Sequence, residues 1–212
     1  MRQPAAPVRA PAKYTLVDYI FQFITITVGV LIALLINGLV EWNNNRELVE
    51  QARTTIRREV EANLKELEGL PNSIERSTAE LETAMRFADE MLATGKSSIR
   101  SLSMNFNLAT LNSSGWLSAE RTGALSHMDY DEVQKYSEIY TIQDLFDEQQ
   151  RKAIDLVATG SSLLASSFDP TTAKAAELAE FRQRIMLLQS NLLVTEQLGA
   201  QLKKGYQEFL QK

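Results

Sequence analysis

Residues 178–209 read LAEFRQRIMLLQSNLLVTEQLGAQLKKGYQEF. Within them Leu178, Phe181, Ile185, Leu188, Leu192, Thr195, Gly199, Leu202, Tyr206 and Phe209 recur in alternating steps of three and four. That spacing lines one face of an α-helix and seats it against neighbouring helices. A stripe this long suits the core of an intramolecular bundle or a seam between separate chains. The intramolecular use is expected, because Ile74, Thr78, Leu81, Met85, Ala88 and Leu92 offer a matching stripe in the same chain.

The pattern recurs upstream and between these two segments. Leu48, Ala52, Ile56, Val60, Leu64 and Leu67 share one helical face, and Gly69-Leu70-Pro71 is expected to stop that helix. Asn72 with Glu75 is expected to open the next as a capping pair, and Gly95 to end it. A third long helix is expected from about Tyr130 to Ser166, capped by Asp129 with Glu132. Its inner face would carry Val133, Tyr136, Tyr140, Phe146, Ala153, Leu156 and Leu163, with Gly160 a weak point. Asp169 and Pro170 are expected to begin the fourth helix, where proline is tolerated. Residues 96–128 read as an irregular insertion, with short helices at about 106–112 and 117–125. No period-two run survives, so the expected class is all-α, an elongated antiparallel helical bundle of the four-helix type over residues 43–212.

A different kind of segment precedes the bundle. Residues 19–40, YIFQFITITVGVLIALLINGLV, carry no charge. As a helix they span roughly 33 Å at 1.5 Å per residue, enough to cross a hydrocarbon core of about 30 Å. Tyr14 and Tyr19 at one end and Trp42 at the other fit the interfacial positions such aromatics favour. No small-residue cleavage pattern follows the run, so residues 14–42 are expected to be a retained anchor helix rather than a secretory signal. Residues 1–13, MRQPAAPVRAPAK, hold three of the five prolines and read as a disordered tail. Arg9 and Lys13 stand close before the span, against Arg46 close after it. Basic flanks stay inside, so the expected arrangement is a single pass through the inner, cytoplasmic membrane. The amino terminus would be cytoplasmic and the carboxy-terminal domain periplasmic or extracellular. Thr25, Gly29, Ala33 and Asn37 recur every four residues along the span, and such a stripe lets two membrane helices approach closely.

Composition narrows the chemistry. Twenty-two Lys and Arg stand against 27 Asp and Glu, a net charge of −5, which is the wrong sign for a nucleic-acid binder. No cysteine and one histidine exclude zinc fingers, iron–sulfur clusters, thiol catalysis and disulfide scaffolds. The lone His127 lies beside Asp129 and Asp131 at an interhelical turn, where a structural or exposed role is the usual one. Asp129, Asp131 and Glu132 lack a calcium-loop frame, because the sixth position is Gln134 and the twelfth Tyr140. Ser113-Ser114-Gly115 lacks the first glycine and the strand of a nucleophile elbow. No catalytic residue, cofactor site or metal site is therefore expected, and the chain is read as non-enzymatic.

The string GVLIALLINGLVEWNNNRE (residues 29–47) resembles a bacterial family of single-span membrane proteins of unknown function. That family pairs a GxLIALxIN membrane segment with a Trp and a Glu/Arg-rich start to the following helix. A second similarity is LNSSGWLSAERTGALSHMDYDEVQKYSEIY (residues 111–140), while Gly38-Leu39-Val40 departs from the family pattern. The resemblance implies an anchor followed by a helical domain, and no activity.

Residues 105–140 combine Trp116, Glu120, Arg121, His127, Tyr130 and Tyr136, the residues for a recognition patch if the aromatics do not simply plug the bundle end. The function expected from these features is that of a structural or interaction subunit of a membrane complex. Its partners would be the lipid bilayer and a second copy or another membrane protein, with no nucleic acid. The alternative is an extracytoplasmic ligand-sensing bundle; no second apolar run follows, so it would have to signal through a partner protein.

Overall fold

The computed structural model describes residues 16–103, 105, 109–165 and 174–211, with side chains of the third stretch described to residue 159. The expected disordered tail, Asp169 and Pro170 lie outside these residues. Five α-helices are present: α1 (Leu16–Glu66), α2 (Leu70–Thr94), α3 (Ser114–Arg121), α4 (Tyr130–Ala165) and α5 (Ala175–Leu210). Four of them are long and no strand occurs among the described residues, so the all-α class holds. The chain divides into two compact units at Leu48 and Val49.

The first unit holds the one helical stretch, among the described residues, long and apolar enough to cross a membrane. None of its most apolar window is buried against the rest of the chain. Hydroxyls within it are satisfied locally: Thr25 and Thr27 donate to the carbonyls of Phe21 and Phe23, four residues back. Among the described residues, nothing beyond the helix's own adjacent backbone lies within 4 Å of where a side chain at Gly29 or Gly38 would begin. Arg46 lies over the Trp42 ring, 5.8 Å from its centroid.

In the second unit the helices hold the faces that their spacing demands. All of the α5 stripe from Leu178 to Tyr206 is buried, and Phe209 is half-buried. Leu178, Phe181, Ile185, Leu188 and Leu192 pack with Leu81, Ala84, Phe87, Ala88 and Met91 of α2 and with Ala153 of α4. The stripe is thus covered within one chain. Leu163 falls outside the described side chains, while Tyr136, Tyr140, Phe146 and Ala153 are buried on α4 as expected.

The junction between α1 and α2 differs from the sequence expectation. Glu66, Gly69 and Leu70 all keep right-handed helical dihedrals, with one 3-10 turn at Leu67–Gly69 between the helices. Pro71 is accepted in the first turn of α2, where its missing N–H costs nothing. Asn72 therefore lies inside the helix instead of capping it, and the chain does not reverse. Reversal comes at Gly95, whose φ of 69° is the left-handed conformation that ends α2.

Partners across the unit set its directions. Arg53 meets Glu132, Glu59 meets Tyr140 and Asn63 meets Gln143, so α4 runs alongside α1 in the same sense. Arg182 meets Asp89, Asn191 meets Gln149 and Tyr206 meets Gln143, so α5 runs against both. The parallel pair needs a long return connection, and residues 96–113 provide it. Ile99 and Leu102 pack on the α2–α5 core, and residues 109–113 are non-helical. The short helix expected at 106–112 is thus absent at 109–112, with 106–108 outside the described residues. The second expected one is α3, followed by a 3-10 turn at Ala124–His127. The last long helix begins at Ala175, where Glu177 accepts the Lys174 N–H at 3.2 Å.

Leu188 is 2% exposed in the middle of this core. Leu188→Ala should lower unfolding free energy by about 2–5 kcal/mol, the range for large-to-small changes in packed cores. Gln189→Ala, one position round the wheel and half-buried, should cost far less; denaturant unfolding of both variants is the check.

Candidate functional site: a buried polar seam and the groove beside it

The non-helical return leaves peptide groups inside the bundle that have no helical partner. Buried amide side chains supply them. Gln150 of α4 accepts the Ala109 N–H at 2.9 Å and donates to the Ala109 carbonyl at 3.0 Å. Asn63 of α1 does the same for Asn112, at 2.8 and 2.7 Å. Gln143 also donates to the Asn112 carbonyl at 3.0 Å, and its own oxygen accepts the Tyr206 hydroxyl at 2.6 Å. Nearer α2, Glu80 accepts the Asn105 N–H at 2.6 Å and Ser77 donates to the Asn105 carbonyl at 3.2 Å.

The seam ends at Glu59, which is 8% exposed on α1. Its carboxyl group receives the Gly115 N–H and the Tyr140 hydroxyl, each at 2.6 Å, and the Ser114 hydroxyl at 3.1 Å. A helix N-terminus presents unpaired N–H groups that receive anions. Here the first turn of α3 is occupied by a side chain of the same protein. Close approach is possible because residue 115 is glycine: a Cβ there would stand 3.2 Å from Thr55 and 3.3 Å from Glu59. Trp116 stacks on Tyr140 with centroids 5.2 Å apart, and meets Tyr136 edge-on. Burial pushes the Tyr140 hydroxyl well above its ordinary range, with the Glu59 hydrogen bond acting in the same direction.

A groove of about 740 Å³ adjoins the seam between α1, α4 and α5. Its apolar floor is Ile139, Ile142 and Phe209, with Tyr136 edge-on to Phe209. Both signs of charge line it, Arg53, Arg57, Lys135 and Lys204 against Glu132, Glu138 and Glu208. Arg53 grips both oxygens of Glu132, at 2.8 and 2.7 Å, and Tyr136 donates to the same carboxylate at 2.7 Å. The Arg53 hydrogen bond holds Glu132 below the usual glutamate range, against a smaller opposing effect of burial. Burial, then the Glu132 hydrogen bond, raises Tyr136.

The residues expected to form a recognition patch divide between interior and surface. Trp116 is half-buried and Tyr136 buried, both in the aromatic cluster that closes this end of the bundle. Glu120, Arg121, His127 and Tyr130 are exposed, Tyr130 to 78%. Asp129 caps α4 as expected, accepting the Asp131 N–H at 2.9 Å, whereas Glu132 turns to Arg53. Of the span stripe, Thr25, Gly29, Ala33 and Asn37 are all exposed. Missing from the sequence reading are Glu59, Asn63, Gln143 and Gln150, polar residues within or beside apolar stripes. Their one signal is the spacing of Glu59 and Asn63, which falls on the face of Ile56, Val60 and Leu67. No group of three or more His, Cys, Asp or Glu side chains able to hold a metal occurs among the described residues. Comparison of the chain with protein-family models, with characterised proteins and with solved structures finds no match in any of the three.

Glu59→Ala strands the Gly115 N–H and the Tyr140 hydroxyl and should cost about 2–5 kcal/mol. Glu59→Gln keeps one acceptor for the Gly115 N–H and should recover most of that loss; equilibrium unfolding separates them. A carboxylate whose pKa is depressed on folding stabilises above its unfolded pKa and loses that contribution as pH falls through the folded value. The stability gap between wild type and Glu132→Gln should accordingly be full near neutral pH and shrink once pH drops below 4.5, the ordinary glutamate value. Urea titrations over an acid pH series measure it.

Proposed function

We propose that the protein is a non-enzymatic, single-pass membrane protein whose helical domain serves as a structural or interaction subunit of a membrane complex. The observation that carries this reading is the apolar stretch of α1, long enough to cross a bilayer and with none of its most apolar window buried by its own chain. A core helix of a soluble domain would be covered; this surface needs lipid or partner helices. The buried polar groups around Glu59, Asn63, Gln143 and Gln150 are compatible with the same reading, because their hydrogen bonds are spent on holding the return segment and the neighbouring helices. The span would carry the amino terminus in the cytoplasm, the bundle outside, and contacts to a second copy or another membrane protein through Thr25, Gly29, Ala33 and Asn37.

The groove of about 740 Å³ favours the second reading, a ligand-sensing bundle that signals through a partner, since its volume lies in the range of small-molecule sites. Its mixed charges and open side fit an amphipathic peptide segment as well.

Full-length protein should stay with membranes through salt and carbonate washing, and a reporter fused after Lys212 should be active only outside the cytoplasm. Extraction by carbonate would overturn the anchor, and a reporter active only inside would overturn the orientation. In a membrane-helix association assay Gly29→Ile and Ala33→Ile should weaken pairing while Leu31→Ala leaves it unchanged. Equal effects at the three positions would remove the stripe from the proposal.

A further inference from the structure

Beyond Tyr19 at its edge, the uncharged run of residues 19–40 holds four side chains that need hydrogen bonds: Gln22, Thr25, Thr27 and Asn37. The two hydroxyls are satisfied within α1, on the carbonyls of Phe21 and Phe23. The two amides are not. Among the described residues neither the Gln22 nor the Asn37 side chain has a hydrogen-bond partner, and both are exposed. Each stands about 11 Å from the middle of the run at 1.5 Å per residue, within a hydrocarbon core of about 30 Å. Lipid tails offer an amide neither donor nor acceptor at that depth, so each amide needs protein to bond to.

We infer that these amides pair with those of a second copy of the chain, Asn37 with Asn37 and Gln22 with Gln22, in a parallel dimer of spans. The inference rests on the membrane reading proposed above and names which partner the span takes. Symmetry selects the copy. Copies of a single-pass chain insert in one direction, so a two-fold axis along the bilayer normal brings each residue to its mate at the same depth. A carboxamide both donates and accepts, so two of them related by that axis bond reciprocally, each N–H to the other's oxygen. The copy supplies this match at two depths, about 22 Å apart, with no further demand on the sequence. A different helix would have to carry suitable polar groups at both depths and on one face. The chain meets the remaining condition, a shared face: at 3.6 residues per turn Gln22, Gly29, Ala33 and Asn37 fall within an arc of about 80°. Gly29 and Ala33 lie between the amides and keep that face low, so that two backbones approach closely enough for the amides to meet. Small residues alone would admit any helix; the unpaired amides specify the mate.

The chain has no cysteine, so single cysteines report proximity without background. Val40 lies on the amide face, about five turns beyond Gln22, and Leu35 lies on the opposite face. In membranes containing the full-length protein, oxidation of V40C should give a covalent homodimer, several-fold more than L35C. Asn37→Leu in the V40C background should reduce the dimer several-fold, although leucine suits lipid better than asparagine does. Asn37→Gln should retain most of the dimer, and Gln22→Leu should weaken it. Loss with leucine and retention with glutamine is a pattern that apolar packing alone does not give. Equal cross-linking of V40C and L35C overturns the inference. So does a V40C dimer indifferent to Asn37→Leu, or a V40C adduct with another polypeptide and no homodimer. Carbonate washing of the same membranes keeps the two proposals apart. Protein that resists the wash and yields no amide-dependent dimer refutes the pairing and leaves the anchor standing. Protein that washes out refutes the anchor, and the pairing with it.

Discussion

A chain that leaves the helical path inside a bundle must find a partner for every peptide group it buries, and here side chains supply them, two amides foremost. Gln150 and Asn63 each give one acceptor and one donor to a single residue of the return segment, Ala109 and Asn112. Each amide thus replaces the neighbouring strand that an extended segment would have in a sheet. The positions of α3, of the Trp116–Tyr140 stack and of the Glu59 carboxyl follow from where the segment is pinned. A one-residue slip would detach both amides at once and unpair the buried N–H and carbonyl of Ala109 together with the part-buried ones of Asn112, so the register is held by cost as well as by contact.

The long helices were legible because their signal is repeated. Ten positions of α5 from Leu178 to Phe209 share one period, and no local exception outweighs such a run. What was less legible depends on single residues and on partners distant in sequence. Gly69-Leu70-Pro71 reads as a stop, yet proline is tolerated in a first helical turn, and nothing local distinguishes that use from a break. Glu59 and Asn63 look like surface residues of a charged helix until Asn112, Gly115 and Tyr140 are brought to them from some fifty to eighty positions away. The non-helical course at 109–113 has no periodic signature, since its partners are side chains rather than another strand. The aromatic cluster was anticipated as one of two uses for Trp116 and Tyr136. The structure gives those two to the bundle end and leaves Tyr130, His127, Glu120 and Arg121 at the surface.

Ionisable groups follow the same division of labour. Bidentate contact between Arg53 and Glu132, with Tyr136 on the same carboxylate, ties the start of α4 to α1 at the mouth of the groove. Most of the other ion pairs described, such as Glu148 with Lys152 and Glu180 with Arg184, join residues one turn apart on a single helix and contribute little. Arg182 with Asp89 crosses from α5 to α2 but is solvent-exposed. Charge therefore decorates the helices, while apolar packing and the amide seam decide which helix lies beside which.

The parallel course of α1 and α4 also governs how the domain is made. Helices joined by a tight hairpin can cover one another as soon as both exist, but α2 is covered by α5, about a hundred residues further along. While the chain is being synthesised, the faces of Leu81, Phe87 and Met91 have only Ile99, Leu102 and then Ala153 and Leu156 to cover them until residues 178–192 have emerged. Such contacts are non-local for a helical protein, and closing them is slow relative to hairpin-built bundles. The return segment cannot be anchored at both amides until α4 has formed beyond Gln150. Assembly thus converges on a late, cooperative closure led by the carboxy-terminal helix, and the nascent domain passes through a window in which its largest apolar face is only partly covered.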